Sequence, residues 1–286
     1  MFDSTTKSFF KLLFRHIQYL GRRGCSRSAL EFSKLLLSFS LEDPLGALFM
    51  LDYFGVRSEE FQFVLKTLAS YPVDRLSSEF SSSSQIPNFA FSAALCCFQL
   101  ECSGVSEEHI RTLLSACPEW STAASPLSES LCANAIRSFP EVPKQLIHKL
   151  KDSSCDWKLL GSFPDNFSAC AGVKKLVDIY VERMHLLWKS DRVLLWLHRV
   201  CVQVSATPFP PRPDLPLSAF DRFCRLISND FSDNVTVLPQ EDLQAQAAIE
   251  AIDRPSLFES SNPLMAFLMS LMPWIDATGH VQGDVQ

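Results

Sequence analysis

The residues of this chain that can do acid–base or metal chemistry are scattered along the sequence. The six histidines stand at positions 16, 109, 148, 185, 198 and 280. His185 and His198 flank the turn at 189–192 and with Trp188 could form a small polar site, but we favour surface or half-buried helix positions for them. The sequence contains no phosphate loop, dinucleotide-binding turn, zinc-binding helix, nucleophile elbow or kinase motif. We therefore expect no enzyme and no bound cofactor.

Cysteines are frequent enough to raise the question of disulfides or zinc. The ten cysteines are residues 25, 96, 97, 102, 117, 132, 155, 170, 201 and 224. No two of them form a CxxC pair, and no histidine is placed to complete a zinc finger. Cys117, Cys132 and Cys224 fall at apolar helix positions, where a free thiol behaves as a small hydrophobic group. We expect reduced, structural thiols.

Composition and charge limit the class of protein further. With 286 residues, 47% hydrophobic and 20% charged, the chain is expected to be globular, and its net charge of −6 argues against a nucleic-acid coat. The N-terminal apolar stretch is broken by charged residues, unlike a signal peptide, and no run approaches the ~18 apolar residues of a membrane span. We expect a cytoplasmic protein, with the nucleus as a second location, and no membrane partner.

A basic stretch near the start of the chain is the best candidate for a contact surface. Its cations are Lys11, Arg15, Arg22, Arg23 and Arg27. The first three share a helix face if the helix extends that far, and the last two are predicted in the following turn. Such a surface could bind ribosomal RNA phosphates or an acidic protein. The alternative, which we favour slightly, is an ordinary solvated helix face.

The same stretch has the pattern of a helical hairpin. The first helix places four apolar residues at i, i+3, i+4 and i+7, namely Phe10, Leu13, Phe14 and Ile17. Gly24 interrupts the pattern, and Ser26 or Ser28 can cap a second helix that carries Ala29 and Phe32. A small residue such as Ala29 lets the two helices approach closely. This arrangement is typical of a tetratricopeptide hairpin.

A second hairpin is predicted directly behind the first. Asp43 is expected to cap its first helix, with Pro44 as the first helical residue. Ser58, followed by Glu59 and Glu60, is expected to start the second helix, because acidic residues in a first turn favourably oppose the helix dipole. Neither hairpin can bury its apolar face alone, so we expect them to stack.

The apolar helix pattern recurs along most of the chain and divides it into segments. These are two hairpins at 6–71, a Ser-rich loop at 72–87, further helical repeats at 88–206, a Pro-rich linker at 207–217, C-terminal helices at 218–274 and a frayed tail at 275–286. Within the Ser-rich loop, residues 77–85 are expected to be flexible. The stretch at 234–238 alone has a strand-like pattern. The predicted fold class is all-α, an α-solenoid of stacked tetratricopeptide-like hairpins.

Four aromatic residues in the later helices have two interpretations each. Phe89 does not belong to the apolar series of its helix, so it is either a partner anchor or packs against a neighbouring hairpin. Tyr180, Trp188 and Trp196 are expected to form an aromatic seam between helices, in preference to a ligand pocket.

Several strings of the sequence resemble the Tcf25/Rqc family, specifically its C-terminal helical region. The most specific are GRRGCSRSALEFSKLLLS at 21–38 and EDPLGALFMLDYFGVRS at 42–58, followed in order by QIPNFAFSAAL at 85–95, LVDIYVERMHLLWK at 176–189 and NPLMAFLMSLMPW at 262–274. The resemblance implies a non-catalytic scaffold subunit of the ribosome quality control complex. It implies as partners the large ribosomal subunit, a Listerin-type RING ubiquitin ligase and the valosin-containing AAA ATPase, and leaves open a direct contact with ubiquitin.

Two features depart from the family pattern. Family members usually carry a long charged region before the first hairpin, whereas eight residues, MFDSTTKS, precede it here, so we expect a fragment or a shortened form. The basic helix-loop-helix segment associated with the family's proposed transcriptional role is missing, so we do not expect direct sequence-specific DNA binding. The alternative function is a generic tetratricopeptide-like adaptor for chaperones or a transcriptional co-regulator, with Lys11 and Arg15 clamping acidic peptides.

Overall fold

Helices make up the part of the chain that the computed structural model describes, which is residues 4–231 apart from 41, 44, 153–154, 166–169, 210–214 and 227. The α-helices are α1 (Ser4–Arg22), α2 (Ser26–Phe39), α3 (Leu48–Arg57), α4 (Phe61–Ser70), α5 (Pro87–Cys102), α6 (Glu107–Leu113), α7 (Pro118–Ser121), α8 (Leu127–Ser138), α9 (Glu141–Leu150), α10 (Ala171–Trp188) and α11 (Asp191–Ser205). Short 3-10 helices lie at Val73–Arg75, Ser83–Gln85, Trp157–Ser162, Leu217–Arg225 and Ser228–Phe231. These residues contain no strand, and the all-α prediction is confirmed for them.

The first five helices pack successively, α1 on α2, α2 on α3, α3 on α4 and α4 on α5. The predicted core face of α1 is buried, and Ala29 is fully buried where α2 meets its neighbours. Gly24 has a φ of +76°, in the left-handed region that favours glycine, and ends the turn after α1. The predicted first hairpin is therefore present, with Phe32 half-buried at its edge, where it meets the His16 ring at 4.7 Å.

The caps of this hairpin differ from the prediction. Neither Ser26 nor Ser28 is the N-cap of α2. The Cys25 amide donates to the Leu20 carbonyl (2.9 Å) in the turn, and Cys25 is the N-cap of a helix that begins at Ser26. Asp43 is not the N-cap of the next helix, which is Ala47, but its carboxylate accepts hydrogen bonds from the amides of Ala47 (2.7 Å) and Leu48 (2.8 Å) at the start of that helix. That helix begins at Leu48, later than predicted, and Pro44 lies outside the described residues.

The predicted start of α4 at Ser58 is wrong. Ser58 and Glu59 instead end α3, because the Glu60 amide donates to the Gly55 carbonyl (2.9 Å) and Glu59 adopts a φ of 62°. Such hydrogen bonds satisfy the free carbonyls at the end of α3. They commonly form where the residue after a helix adopts the left-handed conformation. The α4 helix then begins at Phe61.

The Ser-rich stretch at 72–87, of which 77–85 is predicted to be flexible, packs onto the helices. Phe80 and Ile86 are buried, and the Ser83 hydroxyl donates to the Leu68 carbonyl (2.7 Å). Ser82 and Gln85 form a capping box around the short helix between them. The serines therefore serve as hydrogen-bonding groups of an ordered connection, which hydrophobic periodicity alone does not indicate.

Beyond α5 the packing is no longer limited to neighbours in sequence. Helix α5 packs on α8, α8 on α11 and α9 on α10, while α10 also contacts α3 and α5. In a strict solenoid each repeat touches only its neighbours. The described chain is therefore a helical array whose later helices fold back onto its earlier ones.

The predicted aromatic seam joins these later helices. Trp188 donates from Nε1 to the Tyr180 hydroxyl (3.1 Å) and stacks on Trp196 at 5.9 Å. Phe98 also stacks on Trp196, at 4.4 Å, and Phe91 lies 5.9 Å from Tyr180. All of these groups except Phe98 are buried, so the seam is a packed interior and the prediction is confirmed.

We call residues 215–231, excluding 227, the return segment, because they run back onto the N-terminal helices. Phe220 packs on Phe80 at 5.0 Å, Phe223 on Phe49 at 5.6 Å and Phe231 on Phe14 at 6.0 Å. The α-helix predicted here is instead two 3-10 helices.

Two further residues hold the return segment in place. Arg222 donates to the carbonyls of Leu76 and Glu42. A Cβ on Gly172 would overlap the Phe220 carbonyl, so glycine is required for this close approach.

The described residues belong to one compact unit, Met1–Val235. The other predicted features of the C-terminal region, at 234–238, 241–252 and 262–274, and the tail at 275–286, lie outside the described residues. No helix among the described residues combines the length and apolar character needed to cross a membrane.

Candidate interaction surfaces

Most of the predicted basic residues keep at least part of their side chains accessible, in α1 and around the turn between α1 and α2. Lys11, Arg23 and Arg27 are exposed, and Arg27 lies in the first turn of α2 rather than in the preceding turn. Arg22 is half-buried, with its guanidinium 5.9 Å from the centre of the Tyr19 ring. These four residues remain a candidate surface for anionic partners, and we call them the basic surface.

Arg15 is not part of this open surface. Its Nη1 donates to the Gln18 Oε1 (3.1 Å) and to the Asp230 Oδ1 (3.2 Å). Gln18 in turn donates from Nε2 to the Asp230 carbonyl (2.6 Å). Arg15 therefore fixes the return segment on α1, a contact between residues 215 positions apart that local sequence patterns could not reveal.

Phe89 lies in α5 and is fully buried against the second hairpin. Its ring centre lies 6.3 Å from that of Phe49 and 6.1 Å from that of Tyr71. Phe89 is therefore not the surface anchor considered above, and packing against a neighbouring hairpin accounts for it.

A second surface, absent from the sequence prediction, lies on the outer side of the same hairpin. Its exposed apolar side chains are Phe9, Leu12, Tyr19, Leu35 and Phe39. Leu12 is 70% exposed, and Phe9 meets Phe39 edge to face at 5.6 Å across the two helices. A helix with apolar residues on two faces is the sequence signal that could have identified this outer apolar surface.

A cleft of about 490 Å³ lies where the turn before α2 meets the end of α3. It is lined by residues 24–28 and 57–59. Cys25 is the N-cap of α2, but its side chain makes no capping hydrogen bond. On the opposite wall Ser58 is only 8% exposed, and its hydroxyl has no hydrogen-bond partner.

Buried charges lie between α3, α5 and α10. Asp52 accepts hydrogen bonds from the Ser92 hydroxyl (2.9 Å) and the Tyr53 amide (2.7 Å). Burial raises its pKa from 3.8 to about 7, although Ser92, the Tyr53 amide and the Arg183 charge act in the opposite direction. Arg183 is itself buried, with its guanidinium 4.4 Å from the Tyr53 ring centre.

Arg183 also connects this region to the return segment, since its Nη1 donates to the Phe231 carbonyl (3.0 Å). A second buried carboxyl lies near the start of α3. Burial raises the pKa of Asp43 to about 6, although the Leu48 and Ala47 amides and the Arg222 charge act in the opposite direction. These groups are partners within the fold, and their arrangement indicates a structural role.

The polar site considered at His185 and His198 is not formed, and both histidines are half-buried helix residues, as favoured from the sequence. His185 contacts carbonyls of its own helix through Nδ1, whereas His198 contacts the Asp156 carbonyl at 3.2 Å. The described residues hold no group of three or more side chains suited to bind a metal ion.

All ten cysteines are free, and Cys224 is exposed, contrary to the apolar position expected for it. Burial raises the pKa of the Cys201 thiol to about 12.

Comparison of the sequence with known proteins identifies a family and several relatives. The family model described as "Transcriptional repressor TCF25" matches residues 4–253. The chain is 32% identical over 67% of its length to "Ribosome quality control complex subunit TCF25" of Dictyostelium discoideum, and 29% identical over 70% of its length to the protein of that name from Homo sapiens. It is 27% identical over 66% of its length to "Probable transcription factor claV" of Ampulloclitocybe clavipes.

These matches cover 26%, 28% and 24% of the three relatives, so the chain spans about a quarter of their length. No solved structure matches the chain. Since the family model covers most of the sequence, including both hairpins and the aromatic seam, the chain belongs to the Tcf25 family.

Proposed function

We propose that this chain is a non-catalytic scaffold part of a ribosome quality control complex, acting on large ribosomal subunits that carry stalled nascent chains. The observation that carries the proposal is the similarity to relatives named as subunits of that complex over two thirds of the chain. The basic surface supports a contact with ribosomal RNA, because exposed lysine and arginine side chains bind phosphates.

The proposed mechanism is positioning. The later helices and the return segment pack back onto the first hairpins, so the described helices form a unit held together by contacts distant in sequence. A rigid unit of this kind can hold a Listerin-type RING ligase and an acceptor ubiquitin in one relative orientation, which favours one linkage geometry. The valosin-containing AAA ATPase would then be recruited to the modified chain.

A second candidate function is that of a transcriptional co-regulator, in the nucleus. It is favoured by the family description as a transcriptional repressor and by the relative named as a probable transcription factor. The chaperone-adaptor alternative is weaker, because Arg15, one of its two clamp residues, is already paired with Asp230.

The test is affinity purification of the tagged chain from cells with stalled translation, probing for large-subunit proteins and the Listerin-type ligase. The variant Arg22→Glu/Arg23→Glu/Arg27→Glu is expected to lose ribosome co-sedimentation, most strongly at low salt, because these contacts are screened by ions. The matched control, Lys158→Glu/Lys189→Glu/Arg199→Glu, makes the same change of charge at exposed positions away from the hairpin and should co-sediment as the unmodified chain does.

Recovery of both partners supports the quality control role. If the folded chain recovers neither, and instead enriches nuclear transcription proteins, the co-regulator function takes its place. Equal co-sedimentation of the two triple variants would show that the basic surface does not contact the ribosome.

A further inference from the structure

Helix α1 carries a second apolar stripe on a side other than its core face. Its exposed members follow one another at intervals of three, four and three, namely Phe9, Leu12, His16 and Tyr19. Leu12 is 70% exposed, and the rings at the two ends of the stripe are each 48% exposed. Alternating intervals of three and four are the spacing with which one helix packs against another. The stripe therefore has the pattern of a helix–helix seam although it is exposed.

Helix α2 carries a matching stripe beside it. Its members, Phe32, Leu35 and Phe39, follow at intervals of three and four, and the last two are exposed. Two ring contacts join the stripes, because Phe9 meets Phe39 at 5.6 Å and His16 meets Phe32 at 4.7 Å. The two contacts lie seven positions apart on each helix, as expected for antiparallel neighbours. The outer apolar surface is therefore continuous across both helices.

The size of the outer apolar surface suits one bound helix. Its three half-exposed rings and two leucines present on the order of 500 Å² of accessible surface. Apolar patches of this size on soluble proteins are often functional. A stable protein interface usually buries about 800 Å² on each partner, so the surface is small for a dimer of this chain.

Positive charge lies at one end of the outer apolar surface. Arg23 follows Tyr19 by four positions, directly after α1 ends, and Arg27 lies in the first turn of α2. Both arginines are exposed. The carboxylate of Glu31, farther along α2, is paired with Lys34 (2.6 Å). This distribution favours a partner with acidic side chains at the end that meets the arginines.

We propose that the outer apolar surface binds one amphipathic helix of a protein partner, whose apolar residues face the two stripes and whose acidic residues meet Arg23 and Arg27. The partner helix completes a three-helix packing with α1 and α2, and its anchors follow at intervals of three and four. Removal of both apolar faces from water drives the contact. The inference goes beyond the scaffold role, which assigns nothing to this surface.

A membrane surface and RNA fit these observations less well. The net charge of −6 disfavours approach to anionic lipids. Leu12 and Leu35 lie in the middle of the two stripes, and aliphatic side chains gain nothing from contact with phosphates. A protein helix is the partner that accounts for the leucines and the arginines together.

The experiment titrates the full chain, by calorimetry, with synthetic helical peptides of about 18 residues, long enough at 1.5 Å per residue to span both stripes. The first peptide has leucines at intervals of three and four and glutamates on its flanks. The second has lysines in place of the glutamates, and the third is a scrambled form of the first. We expect the acidic peptide to bind about fivefold more tightly than the basic one, and the scrambled peptide not to bind.

A pair of leucine variants tests the apolar contact. Leu12→Glu/Leu35→Glu should weaken binding of the acidic peptide at least about tenfold, because two leucines lose their burial against the partner. Leu186→Glu/Leu195→Glu makes the same change at exposed leucines of α10 and α11 and should bind as the unmodified chain does. All four positions are exposed, so circular dichroism should show both variants folded. Ribosome co-sedimentation should be unchanged in Leu12→Glu/Leu35→Glu, which separates this contact from that of the basic surface.

A charge reversal tests the end of the surface independently. Arg23→Glu/Arg27→Glu should weaken the acidic peptide about fivefold and strengthen the basic peptide by a similar factor. Both changes should decrease at high salt, since the charges are exposed. A purely apolar contact would show neither change.

Several results would overturn the proposal. Equal binding of the acidic and scrambled peptides, or unchanged affinity in Leu12→Glu/Leu35→Glu, would show that the surface binds no helix. A dimer in analytical ultracentrifugation that this variant abolishes would assign the surface to a second copy. Tighter binding of a peptide of residues 262–274, an apolar string of the same chain, would assign it to that string. Leucine-dependent sedimentation with anionic phosphatidylserine vesicles would assign it to lipid.

Discussion

The first hairpin and the aromatic seam use similar residues in different ways. In the seam, the rings of Phe91, Tyr180, Trp188 and Trp196 are buried against one another, and the Trp188 indole finds a hydroxyl partner. The first hairpin buries one face equally well but leaves a second apolar surface exposed. The comparison teaches that apolar content alone does not distinguish a core from a contact surface. What distinguishes them here is whether the side chains are covered within the chain.

The largest effect is expected from a charge placed inside the first hairpin. Ala29 is fully buried, so Ala29→Glu should lower the free energy of unfolding by about 4 kcal/mol, because the carboxylate would have no partner. Leu35→Glu, on the exposed surface of the same helix, should change it by less than about 0.5 kcal/mol. Thermal melting followed by circular dichroism measures both, and equal losses would contradict the assignment of the two faces.

The next largest effect is expected at the contact between α10 and the return segment. Gly172→Ala should lower the free energy of unfolding by about 3 kcal/mol, because the added Cβ meets the rigid Phe220 carbonyl. Gly161→Ala is the matched control, since nothing lies within 4 Å of its Cβ position. Urea unfolding of the two variants tests this, and a neutral Gly172→Ala would show that the return segment does not pack here.

A smaller effect concerns pH and the buried Asp52. Since its pKa is raised from 3.8 to about 7 in the folded chain, the folded state holds a proton that the unfolded state releases. Stability should therefore fall as the pH rises between about 4 and 7. We expect Asp52→Asn to reduce this fall by on the order of 2 kcal/mol, measured as melting temperature against pH. An unchanged slope would mean that Asp52 is ionised throughout.

The smallest effect is expected for the ion pair at the edge of the first hairpin. Arg15→Gln removes the 3.2 Å pair with Asp230, whose side chains are 20% and 17% exposed. The loss should be about 0.5–1 kcal/mol and should decrease at high salt. Denaturant midpoints at two salt concentrations measure it, and a loss independent of salt would point to packing rather than charge.

The sequence predicts the local elements well and the long-range contacts poorly. Helical periodicity places the core face of α1 and the turn glycine Gly24 correctly, since both depend on neighbouring residues. It does not indicate that the return segment covers Arg15, nor that Phe89 is buried, because these depend on residues distant in sequence.

The candidate cleft shows a different limit of sequence prediction. The residue types at 58–60 are as compatible with the end of a helix as with its start. The left-handed conformation of Glu59 decides between the two. Acidic residues after a serine are therefore ambiguous, and the wrong assignment hid the unpaired hydroxyl of Ser58.

The return segment also has a consequence for how the chain folds during synthesis. Stacked hairpins can fold one after another as they leave the ribosome, but α1 here obtains its contacts with Asp230 and Phe231 only after more than 200 further residues have been made. At 5–20 residues per second, typical of translation, the first hairpin waits on the order of 10–40 seconds with part of its core uncovered. A nascent chain of this protein is thus itself exposed to chaperones and to quality control until the return segment emerges.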